Sequence, residues 1–434
     1  MKRLYSYRFS NHLLVIILYS LSFLFSVSFG KPSLLFTAVL IVNSLLMFEN
    51  KSNQLALIFY FFVSLYSVYL IPYFYFGIGF AAYIEYNFQE YIFRTLEVYS
   101  LFVICLYVFT VFDRNIYKKD SQTGVLRFTW IIKSRPIFYC SLFVLALITK
   151  YGISGENIFY GGYGISQFQM STAMEYYCIF LLVSIFSAKG KYDRILILLF
   201  VIVYSIRVFL YGGRVPVIQV WLLIYLAMFL NRFSNKILIC FLLFSTIILE
   251  VFSSIRANPL LVLSALNADR FNLNNSVILS NQGDVFYSST VFINMRHLNV
   301  VPVLTRLKSL FGFILSFFLR TDSLWEEANL SGFLASLSSF GGGGLFPAYF
   351  YFWFGVPGVI IAAYIVHRIV KGWYNINPKT LKGVYLSLAF ATFPRWFAYS
   401  PISLYKLSTW GVIVYFIIRL LHKYMSKSLN HFNS

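Results

Sequence analysis

Apolar residues along this chain come in long unbroken runs rather than in the two-residue alternation of a half-buried strand, and short polar stretches separate the runs. That pattern predicts an all-α protein. A helix of about 20 apolar residues crosses a hydrocarbon core, and about 17 suffice when the flanks reach for the headgroups. Twelve runs are read as spans: Leu13–Gly30, Ser33–Phe48, Leu55–Phe76, Leu96–Phe112, Pro136–Thr149, Thr172–Ala188, Ile195–Tyr211, Val215–Leu230, Ile237–Ser253, Pro347–Val366, Gly383–Tyr399 and Leu407–Leu421. The first follows a basic stretch, Met1–Arg8, but no small-x-small cleavage site accompanies it, so it reads as a span and not as a leader.

Successive spans alternate direction, so a twelve-span chain makes a demand its charges can refute: every second connection should be basic. The charges comply when the N-terminus faces the cytoplasm. Lys2, Arg3 and Arg8 precede the first span, Lys51 lies in the next cytoplasmic turn, a basic cluster ends at Arg135, and Lys189, Lys191 and Arg194 follow. Arg232 and Lys236, then Arg368, Lys371, Lys379 and Lys382, then Arg419, Lys423 and Lys427 complete the series. The opposite short connections carry little charge, and Ala81–Arg94 is acidic. One more apolar stretch, Val300–Leu319, could be counted as a thirteenth crossing, but it holds Arg306 and Lys308 and would reverse the basic bias of everything after it. It is read as a helix lying in the membrane interface or packed beneath a loop.

Composition agrees with lipid as the main solvent: of 434 residues 59% are apolar and 12% charged, too few polar groups to cover a water-soluble globule. The net charge of +20 would suggest nucleic acid in a soluble protein, but these Lys and Arg residues sit between apolar runs and serve as topology signals. Cys105, Cys140, Cys178 and Cys240 each fall inside a predicted span at spacings that match no metal or redox motif. The expected organisation is a single membrane domain over 1–434, with one large loop, 254–346, between the ninth and tenth spans on the non-cytoplasmic side. Chemistry is expected to concentrate there.

That loop contains Arg256, Asp284, Arg296, His297, Arg306, Arg320, Asp322, Glu326 and Glu327. A second stretch, Tyr151–Gln169, is rich in Gly and Tyr and reads either as a sugar-stacking surface or as a plain turn. Arginines at the outer ends of spans are the sharpest feature: Arg207 within a span, Arg214 in the turn Tyr211-Gly212-Gly213-Arg214, Arg256 past the ninth span, and Arg395 in Phe393-Pro394-Arg395-Trp396. A guanidinium in lipid costs about 2.5–3.5 kcal/mol on insertion scales, so each needs a partner or a wet cavity. Several together can grip a diphosphate bidentately without a metal. The structural alternatives are pairing of Arg207 with Glu250 or Glu175 and snorkelling of Arg256 to headgroups.

No DxD or HExxH pattern offers a divalent metal site, and no cofactor is implied. Expelling pyrophosphate from a sugar needs positive charge on the leaving group and a base for the attacking hydroxyl. His297 is the first candidate base, with Asp284 and Glu326 as substitutes, and a solvated histidine is the alternative at His297. The run Gly341, Gly342, Gly343 and Gly344 before Pro347 reads as a hinge that lets backbone approach a ligand, or as a simple linker.

On these residues the chain resembles the O-antigen polymerases, the Wzy-type oligosaccharide repeat-unit polymerases. The likeness covers the architecture of the whole chain and, in residues, Gly212-Gly213-Arg214 and the passage from Gly341–Gly344 through Pro347 and Tyr349 to Phe354-Gly355. It implies a class C glycosyltransferase-type membrane fold in a bacterial inner membrane, both termini cytoplasmic and the large loop periplasmic. It further implies arginines that hold the pyrophosphate of an undecaprenyl-linked donor, carried onto Arg214, Arg256 and Arg395, with Arg320 and Gly332 as a looser echo. Expected partners are the undecaprenyl-pyrophosphate-linked oligosaccharide, membrane lipid and a chain-length regulator protein. The implied reaction is polymerisation of repeat units at the outer face of that membrane. A lipid-linked oligosaccharide flippase would need similar cations but matched halves, and no internal repeat is visible; an O-antigen ligase differs only in its acceptor.

Overall fold

The computed structural model describes residues 2–77, 79–80, 88–113, 128, 131–153, 173–210, 213–255, 277–278, 281–319, 323–338 and 343–432. In chain order the helices are α1 (Lys2–Phe29), α2 (Pro32–Glu49), α3 (Gln54–Val68), α4 (Ile71–Phe76), α5 (Phe88–Phe112), α6 (Arg135–Tyr151), α7 (Ala173–Ser187), α8 (Lys191–Leu210) and α9 (Arg214–Ile224). There follow α10 (Asn235–Ile255), α11 (Asn281–His297), α12 (Val303–Leu315), α13 (Leu330–Leu337), α14 (Phe346–Phe354), α15 (Val356–Trp373), α16 (Leu381–Ala391), α17 (Phe393–Trp396) and α18 (Ile402–Phe432). Apart from these, a π-helical turn extends α9 over Tyr225–Phe229, a 3-10 turn spans Glu326–Ala328, and Gly79–Phe80 pairs in parallel with Val277–Ile278.

Six helical stretches among the described residues are long and apolar enough to cross a membrane: Ser10–Phe29, Pro32–Glu49, Gln54–Phe76, Tyr91–Phe112, Val356–Trp373 and Ile402–Tyr424. The polarity of the surface fits that reading. Leu14, Leu18, Leu24, Phe143, Phe241 and Phe244 all stand more than half exposed, which in water would forfeit a large part of the about 1.5–3 kcal/mol that full burial of each contributes. Polar groups meanwhile point inward: buried Asn43 donates to Ser67 Oγ at 2.9 Å, buried Tyr19 donates to the Ser100 carbonyl at 2.9 Å, and Ser184 donates to Ser141 at 2.8 Å. An apolar exterior around hydrogen-bonded polar contacts is the arrangement lipid demands.

Three expected spans are not continuous. Leu55–Phe76 pauses at Tyr69–Leu70 between α3 and α4. Pro347–Val366 is split by Gly355, whose φ of 70° and ψ of −144° no helix accommodates. Gly383–Tyr399 stops at Ala391 and resumes as the single turn α17, because Pro394 lacks the N–H that would continue the helix. The helix α7 has 15 residues, about 22 Å at 1.5 Å per residue and shorter than a hydrocarbon core.

The chain forms two compact units. One comprises 1–122, 274–374 and 395–402; the other 123–273, 375–394 and 403–434. In the first, α5 packs on α2, α11 and α15, and α14 packs on both α11 and α15. Its centre is aromatic: the Phe59 ring lies 5.9 Å from Trp396, 5.6 Å from Trp373 and 5.6 Å from Phe397. In the second, α6 lies on α7 and α8, and α9 packs on α7, α8 and α16. Of the long loop, α11 packs on α3, α5 and α14 and α12 packs on α14, with Thr95 of α5 donating to Thr290 of α11 at 3.0 Å.

Candidate functional site

The short helix α14 organises the polar groups of the first unit, because the chain is irregular at both of its ends. Before it, Gly343 takes a φ of +79°, which favours glycine, and a Cβ there would meet the Tyr399 backbone at 3.0 Å. The strap Gly343–Leu345 is held by hydroxyls: Gly343 N–H donates to Ser331 Oγ of α13 at 2.6 Å, and Leu345 N–H donates to Ser289 Oγ of α11 at 2.8 Å. Phe346 N–H then donates to the Phe397 carbonyl at 2.7 Å. The described half of the glycine run is therefore pinned, and the N–H groups of Gly343 and Leu345 are spent on the chain's own oxygens. Gly341 and Gly342 lie outside the described residues.

Beside Tyr399, which the strap approaches, stands Arg395. It is half-buried, its guanidinium lies 5.5 Å from the centre of the Tyr399 ring, and its carbonyl accepts from Tyr399 N–H and Ser400 N–H. Tyr349, one turn into α14, donates its hydroxyl to the Tyr399 carbonyl at 2.6 Å and also reaches the side chains of Ser331 and Ser400. One guanidinium, two phenol rings and three serine hydroxyls thus surround the strap. A cation of this kind holds an anion, aromatic faces stack on sugar rings, and hydroxyls exchange hydrogen bonds with sugar hydroxyls.

The three candidate bases separate. Asp284 and His297 are exposed at opposite ends of α11, about 20 Å apart at 1.5 Å per residue, so a single reacting hydroxyl cannot be served by both. Asp284 is about 7 Å along that helix from Ser289, which touches the strap. His297 is at the other end, next to Arg296 and the far end of α14. Glu326 is exposed in the 3-10 turn and accepts from Ser336 of α13 at 3.3 Å, on the helix whose Ser331 touches the strap.

Of the other arginines, Arg207 and Arg214 belong to the second unit. Arg207 donates to the carbonyl of Ile153 at 3.4 Å, and its Nε is buried without a hydrogen-bond partner. Arg214 is half-buried at the first position of α9 and has a partner of its own. Arg256 and Arg320 lie outside the described residues, as does Asp322. Among the described residues no group of three or more His, Cys, Asp or Glu could hold a metal ion. The four cysteines are free.

Sequence reasoning did not single out Ser289, Ser331, Tyr399 or Ser400, which are common residue types carrying no pattern. It noted Arg296 and Arg306 in the loop without giving them a role, although two arginines in a stretch expected to face away from the cytoplasm were a signal. Arg296 donates to the Phe352 carbonyl at 2.8 Å near the C-terminus of α14 and lies 5.6 Å from the Tyr351 ring. Burial, and then the neighbouring Arg306 charge, lower its pKa from the ordinary arginine value, against the opposing influence of Tyr351. Compared with family models, with curated proteins and with solved structures, the chain matches none.

Proposed function

We propose that this chain is an oligosaccharide repeat-unit polymerase, joining undecaprenyl-pyrophosphate-linked repeat units at the outer face of a bacterial inner membrane. The observation that carries the reading is the strap before α14: a half-buried Arg395 beside Tyr399, with Tyr349, Ser331 and Ser400 at hand, in an all-helical body whose exposed surface is apolar. The alternation of basic connections supports a twelve-crossing topology with both termini cytoplasmic and the segment 254–346 periplasmic.

In this reaction a hydroxyl oxygen of one lipid-linked repeat unit bonds to the anomeric carbon of the glycan on another. The bond from that carbon to the pyrophosphate oxygen breaks, and the pyrophosphate leaves with the electron pair. The hydroxyl proton passes to a carboxylate, Asp284 or Glu326, both attached to helices that touch the strap. Arg395 stabilises the charge that develops on the leaving group, a role whose removal costs about 10²–10³ in rate at comparable oxyanion sites.

The surface-glycan ladder of a deletion strain, restored with wild type, Arg395→Ala, Arg395→Lys or Arg214→Ala, tests the proposal. Loss of the ladder in Arg395→Ala with one repeat unit still attached to the lipid core supports it, since flipping and ligation then continue. If no repeat unit reaches the surface and unlinked intermediates accumulate, a flippase or ligase replaces the polymerase. An unaltered ladder removes the chain from this pathway. Asp284→Asn and Glu326→Gln, run on the same gel, separate the two candidate bases.

A further inference from the structure

The far end of α14 carries polar side chains that the Arg395 site does not use. There the chain breaks at Gly355, and the guanidinium of Arg296, in the last turn of α11, approaches so closely that a Cβ on Gly355 would stand 2.8 Å from its Nη2. Arg306 of α12 adds a second positive charge close enough to depress the first. Its side chain turns inward, the residue is only 8% exposed, and its Nε has no hydrogen-bond partner. Among the described residues neither arginine pairs with a carboxylate. Capping the α14 carbonyls accounts for Arg296. It does not account for Arg306, whose burial beside a like charge is unfavourable unless something negative lies between or beside them.

The outer face of α12 says where that charge would come from. Val303, Leu304, Leu307, Phe311 and Ile314 form a stripe at helical spacing that stands more than half exposed, while Arg306, Ser309 and Gly312 of the same helix are buried. A helix on a water-soluble protein turns the opposite way. This polarity fits a helix whose outer face is covered by acyl chains, with its arginine directed under the headgroup layer. A phosphate suits the inner side, because its several oxygens can accept from two guanidinium forks at once.

We propose that Arg296 and Arg306 form a binding site for the phosphate group of a membrane lipid, whose acyl chains lie along the exposed stripe of α12. The site is separate from the strap and holds whether or not the chain polymerises glycan.

The test uses the full chain in detergent, with sodium pyrophosphate and phosphatidylglycerol as separate probes and phosphatidylcholine as the zwitterionic control. Binding is read by native mass spectrometry and by the shift of the thermal midpoint. The wild type is expected to bind phosphatidylglycerol and to be stabilised by it. Arg306→Gln should bind about tenfold or more weakly, as expected for loss of a charge-assisted hydrogen bond, while its midpoint without ligand equals or exceeds that of the wild type because the buried like charge is gone. A response to both phosphatidylglycerol and pyrophosphate assigns recognition to the phosphate alone. A response to the lipid only adds the acyl chains, and either result supports the site. Wild-type protein that binds neither probe overturns the proposal, as does an Arg306→Gln protein that binds both as the wild type does. If Arg306→Gln does not fold, Arg296→Gln takes its place, and undiminished binding by that variant overturns the proposal equally.

Discussion

Replacing Gly355 with alanine should reveal how the break between α14 and α15 is held. The backbone there, at φ 70° and ψ −144°, lies in a region that L-residues occupy at a cost of about 1–3 kcal/mol. The new Cβ would also stand 2.8 Å from Arg296 Nη2 and 3.1 Å from its Cζ. The long arginine side chain would yield, and its 2.8 Å bond to the Phe352 carbonyl would be lost. A hydrogen bond from a charged group contributes about 1.5–3 kcal/mol, so the expected total is about 2.5–6 kcal/mol by denaturant unfolding in detergent. The second part should vanish when Arg296 is already alanine. Gly355→Ala made in the Arg296→Ala background should therefore cost only the backbone part, about 1–3 kcal/mol. Equal costs in the two backgrounds would refute the claim that the arginine and the glycine are coupled. Gly358→Ala is the contrast, because there the added Cβ overlaps the Phe350 carbonyl and no side-chain movement relieves it.

Two further outcomes follow from charges at helix ends. Asp193, third residue of α8, accepts from the N–H groups of Lys189 at 2.6 Å and Gly190 at 3.2 Å and from Arg135 at 2.7 Å, so Asp193→Asn should lower stability by about 1–3 kcal/mol. Burial alone would raise the pKa of Asp193, but the Arg135 hydrogen bond and the two N–H groups outweigh it and the pKa is lowered; this contribution is then fully present above the unfolded value near 4 and disappears as pH falls through the folded one, which thermal midpoints of wild type and Asp193→Asn across pH 2–7 should show by converging in acid. Asp113, just past the C-terminus of α5 where the helix dipole disfavours a negative charge, is held by His367 at 3.0 Å and Lys371 at 2.5 Å. Asp113→Ala should cost about 3 kcal/mol by leaving Lys371 without its anion and the imidazole of His367 without its hydrogen-bond partner, and a loss under 1 kcal/mol in denaturant unfolding would show that another group compensates.

The sequence by itself determined that the chain is helical and that lipid is its solvent, because apolar runs long enough to span a bilayer leave few other arrangements for the backbone N–H and C=O groups. It also marked Arg395 and the glycine run as unusual, since a charge at the end of a span and consecutive glycines are each rare enough to stand out in one dimension. Hydropathy did not show where helices break, although Pro394 marks one break in the sequence itself. Gly355 and Leu70 lie within apolar runs that hydropathy reads as continuous, since hydropathy measures transfer and not backbone conformation. Only the fold brings Ser289, Ser331, Tyr349 and Ser400 to the strap, from four separate stretches of sequence, and only the fold sends Arg306 inward. A charge on an amphipathic stretch can face headgroups or the interior, and which it faces depends on the helices packed against it.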